Sequence, residues 1–285
     1  MGKVMITTYE RQQVELIRKW KGSRPFIVSR SVGAALFPVT WLLNKLVPSA
    51  AIRAALDLSS STAEWLTDTN DIVRDAGVKS LAELRTHDLE KSDQIAGSVH
   101  RWAIGAAAVE GGAAGAFGIF GMAADIPAIV VLSLRTIHKI GACYGFEAQS
   151  PQDRDFVLGV LSFSSANTME EKTMALMTLR SVEVTVASRT WRSIAQTAGQ
   201  QAVGREAGIM VTRSLAAQLG IKLTKRKMLQ AIPIFGAVVG ALVNGWFIKQ
   251  VSWAARRAFQ ERWLLENGKL DASIEPSGQG LRHRS

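Results

Sequence analysis

Four ionisable residues stand in apolar surroundings where solvation does not account for them: Glu110, Asp125, Arg135 and His138. Arg135 and His138 are three apart, so a helix puts them on one face, and Asp125 lies about one turn before the helix expected to begin at Pro127. If Glu110 faces the same interior, two carboxylates and a histidine can hold a metal or move protons as acid and base. The competing arrangement is a satisfied ion-pair network that ties an apolar segment to the next helix, because buried charges are usually paired. The spacing fits both. His87 and His100 read as surface or packing residues.

Other catalytic signatures are missing. There is no GxGxxG, no GxSxG, no HExxH, and no GxxxxGK followed by Ser or Thr. Gly111 to Gly121 is glycine-rich, but no strand precedes it and no Lys, Ser or Thr closes it, which argues against a phosphate loop. Cys143 is the single cysteine, so an intrachain disulfide and a cysteine-built zinc site are both excluded, and a reducing compartment fits best. The start, MGKVMITTYERQQ, shows neither a secretory h-region nor a myristoylation pattern. No cofactor is expected.

The elements that must position these residues are two nearly uncharged, glycine-studded tracts, Ala103 to Ala124 and Met228 to Ile248. Each is about as long as a helix needs to cross a hydrocarbon layer, roughly 20 residues. Gly111, Gly112, Gly115, Gly118 and Gly121 recur at three- and four-residue spacing in the first tract, and Gly236 and Gly240 stand four apart in the second, followed by Gly245. Such small-residue spacing lets helix backbones approach closely, so the two tracts are expected to pack on each other. Pro233 and the glycines suit a bent or shallow, re-entrant element. Trp102 and Trp246 stand at the outer margins, where amphipathic rings favour an interface. The alternative is a pair of buried central helices in a soluble bundle.

Charge is unevenly distributed within the net +10. Residues 1–60 carry nine basic and three acidic groups, 61–175 nine and fifteen, and 176–285 sixteen and six. Basic flanks around an acidic middle suggest adhesion to an anionic surface. Placement favours lipid: Lys222, Lys225, Arg226 and Lys227 precede the second tract, and Lys249, Arg256 and Arg257 follow it. With cations at both ends, the expected geometry is a shallow dip from the cytoplasmic face of a membrane. Nucleic-acid binding draws support from the charge alone, since no recognised module appears.

Apolar residues recur at three and four, so the fold class expected is all-α, a multi-helix bundle of roughly nine or ten helices with the two tracts packed centrally or inserted in one leaflet. Residues 1–48 are expected to form an amphipathic and an apolar helix (Tyr9 to Lys21 and Ser31 to Leu46), 49–267 the main helical domain, and 268–285 a disordered tail.

Glu110-Gly111-Gly112, Asp125-Ile126-Pro127-Ala128, RTIHKIGACYG (Arg135 to Gly145) and QAIPIFGAVVGALVN (Gln230 to Asn244), taken in order, resemble the EcsC protein family over most of residues 50–265. The resemblance implies glycine-rich apolar segments and no assigned enzymatic activity. The function expected is therefore that of a non-enzymatic, membrane-associated helical protein that scaffolds, modulates or perturbs a bilayer or a membrane complex. Anionic lipids are the expected partner, with a homo-oligomer or membrane complex as further candidates. The alternative is a soluble metal-dependent or acid/base enzyme using Glu110, Asp125 and His138.

Overall fold

A computed structural model describes residues 5–23, 69–116, 118–147, 150–166, 171–177, 179 and 236–270. Among them every regular element is helical: α1 (Thr8–Gly22), α2 (Asn70–Ala76), α3 (Leu81–Leu84), α4 (Leu89–Ala116), α5 (Gly118–Cys143), α6 (Pro151–Ser165) and α7 (Gly236–Glu266), with a further helical stretch over 171–177. The expectations for Ser31 to Leu46, Lys222 to Lys227, Pro233 and the residues after 270 lie outside the described residues.

Local chemistry sets several boundaries. Thr7 and Glu10 form a reciprocal capping box at the start of α1, as Ser150 and Asp153 do for α6. Lys172 covers the end of α1, its ammonium donating to the carbonyls of Trp20 (2.8 Å) and Ser23 (2.5 Å). Burial holds that ammonium down to about 8. On α1, Ile17 is buried and Trp20 packs partly on the core, while Leu16 is exposed.

The three long helices form the body. The tract Ala103 to Ala124 is not one helix: α4 ends at Ala116 and α5 begins at Gly118. The two run antiparallel, since Asp93 meets Tyr144 and Trp102 meets Arg135. Helix α5 also starts nine residues before the expected Pro127 start and carries that proline inside it, a correction to the reading of Asp125-Ile126-Pro127 as a helix beginning. The most extensive interface joins α4 to α7, again antiparallel, with Asp93 beside Gln260, His100 beside Trp253, and Ile104 and Ala108 beside Gly245. Small buried residues of α4 (Ala96, Ala103, Ala107) let α7 come close. A Cβ at Gly245 would already touch Ala108 Cβ at 3.7 Å and Ile104 Cγ2 at 3.8 Å.

At the end of α5 the ring of Phe259 gathers Tyr144, Phe146 and Phe156, with centroids 6.5, 5.7 and 5.0 Å away. Cys143 is buried there, its thiol donating to the Lys139 carbonyl at 3.2 Å, and burial pushes the thiol up. Gly145 then turns the chain with φ +80°, and a Cβ there would lie 2.6 Å from the Arg85 backbone nitrogen and 2.7 Å from the Leu81 carbonyl oxygen. Gly145→Ala is expected to lower stability by about 2 kcal/mol or more, combining left-handed strain with backbone overlap. Gly77→Ala, at φ +64° but with nothing within 4 Å, should cost only about 1 kcal/mol. Urea unfolding of the two variants checks the difference.

Candidate functional site

A buried polar cluster lies near one end of the bundle. Asp93, 3% exposed, accepts hydrogen bonds from the hydroxyls of Tyr9 (2.6 Å) and Tyr144 and from Gln260 Nε2 (2.6 Å), and Arg256 Nη2 stands 3.9 Å away. Around it, Arg257 Nη1 donates to Gln13 and to Gln260 at 2.8 Å each. Burial, reinforced by the Asp93 charge, pushes both tyrosine hydroxyls up, so they remain protonated donors at neutral pH. Sequence reasoning missed this cluster, although Leu89, Asp93, Ala96, His100, Ala103 and Ala107 fall in one helical phase.

Arg257 was expected on an anionic surface; it is instead buried and held by Gln13 and Gln260, and burial draws its guanidinium down. Arg256 is likewise turned inward, donating to the Asp93 carbonyl at 3.3 Å. Of the cations after the second tract, Lys249 is exposed.

The four ionisable candidates are not brought to one place. Asp125 is 2% exposed and receives Asn244 Nδ2 on both carboxylate oxygens, at 2.9 and 3.1 Å. This buried pair joins the second tract to the residue that follows the first. His138 stands on the same helix roughly 20 Å further along. It lines a small cleft with Phe146, Glu147, Asp153, Val157, Phe259 and Arg262. Glu110, half-buried near the end of α4, lies at the Asp125 end of the hairpin. Arg135 extends over the ring of Trp102 at 6.0 Å, and its Nε is buried without a hydrogen-bond partner. No group of three His, Cys, Asp or Glu among the described residues has metal-binding geometry.

What the fold does assemble, among the described residues, is an end with little charge. Along the exposed stripe of α4, Glu90, Gln94, Ser98 and Arg101 give way to Trp102, Gly105, Val109, Ala113 and Ala116. Beyond Trp102 the only charge in α4 is Glu110, before Arg135 the only one in α5 is Asp125, and before Lys249 α7 has none. Trp102, Val109 and Leu242 are 54%, 76% and 67% exposed there. Trp246 packs partly on the core. Asp125 to Cys143 is long and apolar enough to cross a membrane, but it is mostly buried within the bundle. Gly111 is buried and Gly112 half-buried. Gly115, Gly118, Gly121, Gly236 and Gly240 lie in these helices, but their surroundings fall outside the described residues.

The model of the EcsC protein family matches residues 11–264, reaching further toward the N-terminus than the motifs that carry the resemblance. A Bacillus subtilis protein named YdbA, described as uncharacterized, is 27% identical over 242 residues, covering 80% of this chain and 84% of its own. The Bacillus subtilis protein EcsC is 26% identical over 160 residues, 56% of this chain and 58% of its own. No solved structure matches.

Asn244→Ala is expected to destabilise the protein by about 2 to 3 kcal/mol, because it removes two hydrogen bonds from a buried carboxylate. Asp125→Asn should cost less, and urea unfolding of both variants orders them. Burial holds His138 down to about 4 against the opposing pull of Asp153, while the unfolded imidazole titrates near 6.5. Its contribution is therefore present above pH 6.5 and lost as pH falls toward 4, where the unfolded chain takes up the proton first. In His138→Gln the fall in denaturation midpoint across that window should be shallower.

Proposed function

The chain belongs to the EcsC protein family, and from that premise we propose that it is a non-enzymatic helical protein that docks its uncharged end into one leaflet of a membrane, where it scaffolds, modulates or perturbs the bilayer or a complex within it. One observation carries this reading: charge is sorted along the bundle axis, and Trp102, Val109 and Leu242 are exposed in the uncharged part. A soluble bundle gains nothing from exposing these side chains to water, whereas a hydrocarbon layer rewards their burial at about 25 cal/mol per Å2.

Dimensions and chemistry agree with a dip rather than a crossing. From Trp102 to Ala116 the helix covers roughly 20 Å, more than one leaflet's hydrocarbon and less than the ~30 Å of the whole core. Arg101, Arg135 and Lys249 stand where the uncharged part of each long helix meets the charged part, together with Trp102. Indole and cationic groups at one depth suit a headgroup layer. The net charge of +10 favours an anionic leaflet, such as the cytoplasmic face presents.

Flotation with liposomes containing anionic lipid tests the proposal. The wild-type protein is expected to rise with the lipid and to resist a high-salt wash. Val109→Glu combined with Leu242→Glu, both at exposed positions, should keep the helical circular dichroism and cut partition by about tenfold or more. Wild-type protein that stays with the soluble fraction, or a double variant that floats equally well, overturns the reading.

A further inference from the structure

One face of the α4–α7 interface collects several cations, with Asp93 the one carboxylate among the described residues that reaches them as an ion pair. Gly97 of α4 lacks a side chain, and from the point its Cβ would occupy, Arg101 Nη1 lies 3.6 Å away and Arg256 Nη1, reaching over from α7, lies 4.0 Å away. Two guanidiniums from different helices thus flank one point above glycine backbone. Arg101 and Lys249 are exposed at the rim, and Arg256 is half-buried beneath them, stacked over Trp253 at 4.9 Å. His100 meets the same indole edge-on, with centroids 5.3 Å apart.

Two buried atoms of this cluster, His100 Nδ1 and Arg256 Nε, have no hydrogen-bond partner. Burial holds the His100 imidazole down to about 4, and the charges that add to it, those of Arg256, Lys249 and Arg101, are all cationic. The carboxylate that reaches Arg256, Asp93 at 3.9 Å, already accepts from Tyr9, Tyr144 and Gln260. Converging cations repel one another, and an anion placed between the Arg101 and Arg256 Nη1 groups relieves that repulsion.

We propose that this cluster binds a phosphate group between Arg101 and Arg256, with Lys249 closing the rim. Guanidinium forks match phosphate oxygens in pairs, which ammonium groups alone do not. The position along the bundle identifies the source. Arg101 directly precedes Trp102, the first exposed residue of the uncharged end, so the cluster stands at the depth where lipid phosphates stand once that end is inserted. The lipid source rests on the membrane reading above; the phosphate site does not.

The test uses the full chain and an Arg101→Gln/Lys249→Gln variant, both substitutions at exposed positions. The probes are inorganic phosphate, vesicles of phosphatidylcholine, and the same vesicles with phosphatidic acid. Phosphate is expected to raise the titration midpoint of His100, followed by NMR, because a bound anion favours the imidazolium. The variant should lose that phosphate-dependent rise. Phosphatidic acid should tighten vesicle binding of the wild type about tenfold, and the variant should bind both vesicles alike. A phosphate-dependent rise that the variant loses, without vesicle binding, supports the site with soluble phosphate as its ligand and overturns the membrane reading. Vesicle binding that is the same for wild type and variant, with no phosphate effect on His100, overturns the site and leaves the membrane reading standing.

Discussion

A carboxylate taken out of water has to be answered, and the answer given to Asp93 organises the bundle. Stripping its hydration costs several kcal/mol, and the compensation comes from α1 (Tyr9), the turn after α5 (Tyr144) and α7 (Gln260 and Arg256). None of these donors can be moved by one helical turn without leaving the charge exposed to apolar neighbours. The small residues of α4 set how close α7 comes but say little about register, since one alanine packs much like another. Asp93 near one end and Asp125 with Asn244 near the other fix that register at two points.

The same division explains how much could be read beforehand. The all-helical fold class and the range of α1 were legible, because each is written in neighbouring residues. The division of the first tract between two antiparallel helices was not, since length and apolarity describe a tract without saying how it is divided. Pro127 misled for a related reason: a proline suits a first turn locally, but tertiary packing carries α5 through it. Arg257 shows the limit of counting charge, which is the same whether a side chain faces lipid or a buried glutamine.

The ionisable candidates are spread along the bundle rather than gathered. Asp125 became a structural pin, Arg135 a cation laid over an exposed indole, and His138 the wall of a cleft at the far end of its helix. What remained was an arrangement that no single motif encodes: polarity graded along an axis rather than around a circumference. Ordinary amphipathic helices lie flat on a boundary. A bundle sorted lengthwise has its apolar surface at one end, and the proposed docking would set it upright to the boundary, with Arg101 and Lys249 at the seam.

The chain's one cysteine adds a practical property. Cys143 is sealed against the Lys139 carbonyl, and its thiol is held in the unreactive protonated form. The native protein is therefore chemically silent toward thiol reagents while folded. A spin label or fluorophore on a single cysteine introduced along the outward stripe of α4 would report from its own site alone, so the surroundings of that stripe could be mapped residue by residue without first rebuilding the core.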